Sequence, residues 1–395
     1  MIIKTGIPAA MAALLLSTGS ALAVDAQAFG DRLREVAQGQ GMEMSFDSAE
    51  EDGDNVVLRG LRFWAPSDED SDKIDAVTFE NVTGSTAEGW TVERVPIADL
   101  DETTEGTRST VTGMVVEGLQ IVGTEASDVP AAMQTSPIYF DRAGVESVRI
   151  EKDGQEVFTL NDASMENEIS DDGRFTSDFD FGTFSTDFAA TGDDAESAAT
   201  MRELGYETLA GNVSGTAVWD PQSGLLQLDP FDIDLTDAGN LSVTYAISGY
   251  TPAFIESLTQ LQQQMAANPD SQSAAGMAMM GLVSQLYLNS ANVVFTDNGL
   301  TEKLLDYYAE ENGQSREELI EGLTGMLPAL LSYLQNPTFQ EEVVTAARTF
   351  LDDPQSFAIA IEPANPVPAT QVIGAAMGAP QTLPGVLSLS VSAND

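Results

Sequence analysis

Carboxylates carry most of the chemistry open to this chain. It holds 63 Asp and Glu against 16 Lys and Arg, with no His and no Cys, a net charge of −47 in 395 residues. Without His there is no imidazole base, no triad of the usual kind and no His-ligated metal. Without Cys there is no thiolate nucleophile, disulfide or iron–sulfur cluster. Paired acids could act as the acid and nucleophile of a glycosidase. Asp178/Asp180 and Asp232/Asp234 are such pairs, but each alternates with apolar residues, which points the acids to solvent. A catalytic carboxylic acid needs burial to raise its pKa.

Asp68, Asp70 and Asp72 have the one-three-five spacing of a calcium loop, yet Lys73 stands where the loop needs Gly and Phe79 where it needs Glu. Glu50, Glu51, Asp52 and Asp54 cluster without a ligand pattern. No Gly-x-Ser-x-Gly and no Gly-x-x-x-x-Gly-Lys occurs. No residue is therefore assigned a catalytic, cofactor-binding or metal-ligating role. A surface this acidic repels a phosphate backbone, so nucleic acid is not an expected partner.

The other unusual feature is apolar. Ser271 to Thr296 is 26 residues without a charge. Spacing predicts a helix over 274–288, apolar almost all round, buried against a sheet. Met277, Met280, Val283, Leu286 and Tyr287 are candidate walls for an acyl chain or a partner helix. The run is too short and too interrupted for a membrane span.

The elements that would position these residues follow from periodicity. Phe29, Leu33 and Val36 predict a helix in 26–41, stopped at Gly39 and Gly41. Strands are expected at 56–63, 74–82 and 111–122, and a hairpin at 145–160 turns on Asp153-Gly154. A second hairpin turns at 171–173, and a short helix is expected at 195–204. From 212 to 248 alternation is strict: Phe231, Ile233 and Leu235 against Asp232 and Asp234, then Leu241, Val243, Tyr245 and Ile247 against Ser242, Thr244 and Ala246. That is antiparallel sheet with one apolar face. Helices are expected at 254–265, 300–309, 316–334, 339–351 and 371–377, with a short strand at 292–295 and further strands at 357–361 and 386–392.

The N-terminus reads as a secretory signal: Lys4, an apolar run from Ile7 to Leu16, then Ala21-Leu22-Ala23. Cleavage after Ala23 would leave a periplasmic chain with no membrane span.

Pro230-Phe231-Asp232-Ile233-Asp234-Leu235, Phe295-Thr296-Asp297-Asn298-Gly299-Leu300 and Phe350-Leu351 before Pro354 resemble uncharacterised periplasmic proteins of alphaproteobacteria. More loosely, the C-terminal half is similar to AsmA-type envelope proteins, whose one-sided sheets form lipid-lined grooves. The resemblance covers about 215–395 and brings no catalytic residue.

The expected architecture is α+β, a long curved, mainly antiparallel sheet with a helical excursion packed on one face. Its parts are a signal at 1–23, a β-rich region at 24–250, a helical region at 251–354 and returning strands at 355–395. The expected role is a non-enzymatic envelope protein that binds a lipid or an envelope protein. The alternatives are a carboxylate-only hydrolase of polysaccharide and a structural or assembly factor without a small ligand.

Overall fold

The computed structural model describes residues 24–65, 73–191, 195–267 and 272–395. The signal at 1–23 and the acidic run Asp68, Asp70 and Asp72 lie outside them.

The N-terminal part is α1 (Ala26–Gly39), β1 (Glu43–Ser45), β2 (Ser48–Asp52), β3 (Asn55–Trp64), β4 (Lys73–Phe79), β5 (Thr83–Ser85), β6 (Gly89–Pro96), β7 (Leu100–Thr104), β8 (Thr107–Thr112) and β9 (Val115–Val122). Asp25 caps α1 by accepting from the Ala28 N–H. The helix turns Phe29, Leu33 and Val36 onto Leu58, Val77, Phe79, Trp90 and Val92, and this is the largest buried core. Phe29 is fully buried, with ring centroids 5.0 Å from Phe79 and 5.6 Å from Trp90, both edge-on.

The strand expected over 111–122 is two strands, β8 and β9, which pair with different parts of one neighbour. Gly113 between them sits at φ +66°, a left-handed backbone that glycine adopts without strain.

The middle of the chain is α2 (Ala131–Thr135), β10 (Ile138–Tyr139), β11 (Arg142–Lys152), β12 (Gln155–Ile169), β13 (Phe175–Asp187), α3 (Phe188–Thr191), α4 (Ala195–Glu203), β14 (Thr208–Asp220), β15 (Leu225–Leu235) and β16 (Gly239–Ser248). Asp153 and Gly154 both have positive φ, as a two-residue hairpin turn requires. Pro230, which cannot donate to a ladder, sits at a register shift between Leu228 and Phe231.

The rest is α5 (Pro252–Ala267), α6 (Gln272–Val283), β17 (Tyr287–Asp297), α7 (Leu300–Glu311), α8 (Arg316–Leu330), α9 (Pro337–Asp352), β18 (Ser356–Ile361), β19 (Val367–Pro368), α10 (Ala369–Gly378), α11 (Leu383–Leu387) and β20 (Leu389–Ala393). The helix expected to reach residue 288 stops at Val283, and the short strand expected at 292–295 is the eleven-residue β17. At Tyr287 and Leu288 β17 has partners on both sides, β16 and β19, so ladder hydrogen bonds claim these residues from the helix. The strand expected from 386 likewise starts only at Leu389, because 383–387 form α11.

Two antiparallel sheets result. A small one runs β1-β3-β2, with β4 also on β3. The large one has 16 strands and follows β20-β18-β17-β16-β15-β14-β13-β12-β11-β9-β6-β5, with β7, β8, β10 and β19 attached at its sides. The fold is α+β, and the sheet does not close into a barrel. Among the described residues no helix is long and apolar enough to cross a membrane.

α8 opens with a capping box. The Ser315 hydroxyl accepts from the Glu318 N–H, and the Glu318 carboxylate accepts from the Ser315 N–H at 2.8 Å. These donors hold the Glu318 carboxyl below its usual range. A lowered carboxylate contributes above its unfolded pKa and loses that contribution as pH falls through the folded one. Ser315→Ala is expected to cost about 1 kcal/mol, measured as a shift in urea midpoint at neutral pH, with the Glu318 share of the effect gone once that group is protonated.

Candidate functional site

The large sheet carries one row of apolar residues in register across eleven strands. It runs Val95 on β6, Val116 on β9, Ala143 on β11, Met165 on β12, Phe179 on β13, Gly215 on β14, Phe231 on β15, Val243 on β16, Val293 on β17, Ile359 on β18 and Val391 on β20. Neighbouring strands lie about 4.8 Å apart, so ten steps make a track of about 48 Å along the sheet. Gly215 is part of the design. A Cβ there would lie 2.6 Å from the Pro230 carbonyl oxygen and 2.7 Å from the Phe179 ring, so glycine leaves room for that ring beside β14.

Rows on either side repeat the pattern. Val213, Ile233, Leu241, Phe295 and Phe357 form one, and Ala217, Leu228, Tyr245, Ala291 and Ile361 another. The opposite face is polar over β13–β16, with Asp178, Thr216, Ser214, Asp232 and Ser242 cross-paired.

Among the described residues this apolar face has no fully buried core over its middle. From Ala143 to Val391, no residue of the eleven-strand row belongs to a buried cluster. Phe179, Phe231 and Val243 are half-buried, while Val293 and Ile359 are 38% and 40% exposed. In a packed α+β domain the centre of the sheet is the most buried part, and here that place goes to the α1 cluster.

Helices α2, α5, α7 and α9 pack at the ends and along one edge of this face. At one end α2 meets α5, and Trp219 donates its Nε1–H to the Tyr250 carbonyl at 2.7 Å, with Tyr250 against Phe254 of α5. At the other end Leu300, Leu304 and Tyr307 of α7 pack with Leu204, Tyr206, Ala238 and Leu235. Along the β18–β20 edge α9 sets the Phe350 ring 6.1 Å from Phe295 and 5.7 Å from Phe357.

Two apolar cavities open on this face and share Met165. One, of about 330 Å³, lies under α2 and is lined by Met133, Ile138, Phe140, Met165, Phe175 and Trp219. The other, of about 270 Å³, is lined by Ile97, Met114, Val116, Val145, Met165 and Phe181. Tyr139 borders the first, and its hydroxyl donates to the Asn167 carbonyl at 2.8 Å. Burial, with Asp141 and Glu168 nearby, pushes its pKa up to about 12, so it stays a neutral donor.

The sequence-predicted wall falls elsewhere. Met277 and Met280 lie on α6 and are 73% and 48% exposed; on that helix Leu282 is the buried side chain among the described residues. α6 is therefore not the helix buried against the sheet that its lack of charge suggests. Val283 is half-buried, Leu286 packs beside Phe254, Leu261 and Leu282, and Tyr287 opens β17 at 40% exposure. The row itself is half legible in the sequence: Phe231 and Val243 stand in strict alternation, whereas its continuation to Val95 needs the register.

The acid pairs stay on the far side. Asp178 accepts from the Thr216 hydroxyl, and Asp180 accepts from the Gly182 N–H and the Asn212 amide. Among the described residues the buried polar side chains are Ser177, Thr301 and Thr324, none of them an acid. The carboxyls whose pKa values shift, including Asp47 beside Lys73, Glu50 beside Arg59 and Asp101 beside Arg108, shift downward. That is the reverse of what a general acid needs. No group of three or more acids placed to hold a metal ion occurs among the described residues.

No curated protein matches this chain. A family model described as "Uncharacterized protein" matches residues 232–394, from the middle of β15 to the last residues after β20, so the half of the sheet richest in strict alternation is similar to other proteins of that description.

Proposed function

We propose that this chain is an exported, non-enzymatic carrier of amphiphiles, whose acyl chains lie on the apolar face of the large sheet. The observation that carries the reading is the unbroken eleven-strand row with no core over its middle among the described residues. Exposed apolar area of this extent is costly in water, at about 25 cal/mol per Å², and a bound acyl chain removes it. At about 48 Å the track exceeds the roughly 30 Å hydrocarbon thickness of a bilayer, so it can lay out a lipid along its length. Export to the periplasm, and the likeness to AsmA-type and alphaproteobacterial envelope proteins, belong to this proposal.

The test is native mass spectrometry of the chain purified from its own host, before and after organic extraction. A stoichiometric, extractable lipid is the expected result. A single bare mass would count against a carrier.

One observation favours a partner-binding role beside it. Leu323, Met326, Leu330 and Tyr333 repeat at helical spacing along α8 and the 3-10 turn Leu331–Leu334, and are 39–68% exposed. A co-purifying protein lost in Met326→Glu/Leu330→Glu, with lipid retained, would assign that stripe to assembly.

A further inference from the structure

The charge around the apolar face limits what can lie on it. No Lys or Arg occurs between Arg174 and Arg202, between Arg202 and Lys303, or after Arg348. Strands β13 to β18 and β20 therefore carry no cation, and these are seven of the eleven strands that build the row. Acids are plentiful there. Asp232 and Asp234 alternate along β15 with Phe231, Ile233 and Leu235, so they stand one sheet thickness below the apolar floor. Asp178 and Asp180 do the same beside Phe179, and Asp220 and Asp297 mark opposite strand ends.

Most of the cations on other elements have partners. Twelve Lys and Arg side chains stand in ion pairs, among them Arg142 with Glu117 and Glu166, Arg149 with Glu156 and Arg174 with Asp172. Lys303 lies 3.8 Å from the centre of the Tyr206 ring. A phosphate or carboxylate headgroup on β13–β20 would meet a negative field with no counter-ion. A headgroup bearing an ammonium beside its phosphate, or no charge, would not.

Resting on the carrier reading above, we propose that the face selects amphiphiles without net negative charge and rejects anionic ones. Selection of this kind is electrostatic and depends on ionic strength. The screening length is about 10 Å at 0.1 M salt and about 3 Å at 1 M. The preference therefore narrows as salt rises, whereas a purely steric headgroup preference would not.

The test uses the full mature chain and a neutral fluorescent probe, N-phenyl-1-naphthylamine. Short-chain phosphatidylcholine and phosphatidylglycerol of equal chain length displace it, each below its micelle concentration. In about 20 mM salt, phosphatidylcholine is expected to displace the probe at a concentration at least about tenfold lower than phosphatidylglycerol, narrowing to about twofold near 0.5 M. In the Asp232→Asn/Asp234→Asn variant the low-salt gap is expected to shrink through tighter phosphatidylglycerol binding, with phosphatidylcholine unchanged. Equal displacement at low salt, or a gap that salt does not alter, would overturn the selectivity and leave the carrier reading standing. Failure of the probe and of both lipids to bind would remove the carrier reading and this inference with it.

Discussion

Val243→Glu is expected to strip the chain of bound amphiphile and leave it folded. Val243 lies mid-row, directly between Phe231 and Val293, on a strand paired on both sides. It is half-buried and belongs to no buried cluster. A carboxylate there puts a charge under the acyl chain, and desolvating it costs several kcal/mol if the lipid stays. At 1.4 kcal/mol per tenfold, probe affinity should fall by at least about tenfold. In the unliganded chain the same carboxylate reaches water, so the fold loses only about 1 kcal/mol in strand preference. The matched control is Thr296→Glu. Thr296 is exposed on the other face of β17 and pairs with Asn240 and Ser356, both uncharged. It adds the same charge and should leave affinity within about twofold at moderate salt. If both variants lose affinity alike, the loss comes from global charge and not from the face.

Much of the architecture could be read from the chain, because its strands are amphipathic one by one. Ile233 against Asp232, or Leu241 against Ser242, fixes which side of β15 and β16 is apolar without reference to any neighbour. What a single strand cannot state is register. That Phe231 faces Val243 and Val243 faces Val293, so that separate apolar sides join into one track, is a property of the pairing. Composition misled over α6. Its uncharged run suggests burial, but its apolar residues are spread around the helix, so no single face commits it to the sheet, and Met277 and Met280 remain exposed. Nor does composition separate a stability core from a floor. Phe29 and Phe231 are the same residue type in amphipathic elements, yet one is fully buried and the other only half-buried.

That contrast has a measurable consequence. Phe29→Ala removes a ring packed against Phe79 and Trp90 in the largest buried cluster, and is expected to cost about 3–5 kcal/mol. Val243→Ala, on β16 in the interior of the 16-stranded sheet, should cost no more than about 1 kcal/mol, because its methyl groups have few fixed partners and leave no cavity to collapse. Urea unfolding followed by tryptophan fluorescence reads both, since Trp90 sits in the α1 cluster and Trp219 beside the apolar face. Ordinary α+β packing reverses the order: an interior strand of a large sheet, paired on both sides, is where truncation does most harm, and Val243→Ala would then cost at least about 2 kcal/mol. Such a value in lipid-free protein would mean that the face is closed in solution and serves as core. A small value in lipid-free protein that grows when lipid is bound would place the stabilising contacts of β16 in the ligand, because a molecule that binds only the folded state adds its own binding free energy to stability. The apolar face would then be a surface completed by what it carries.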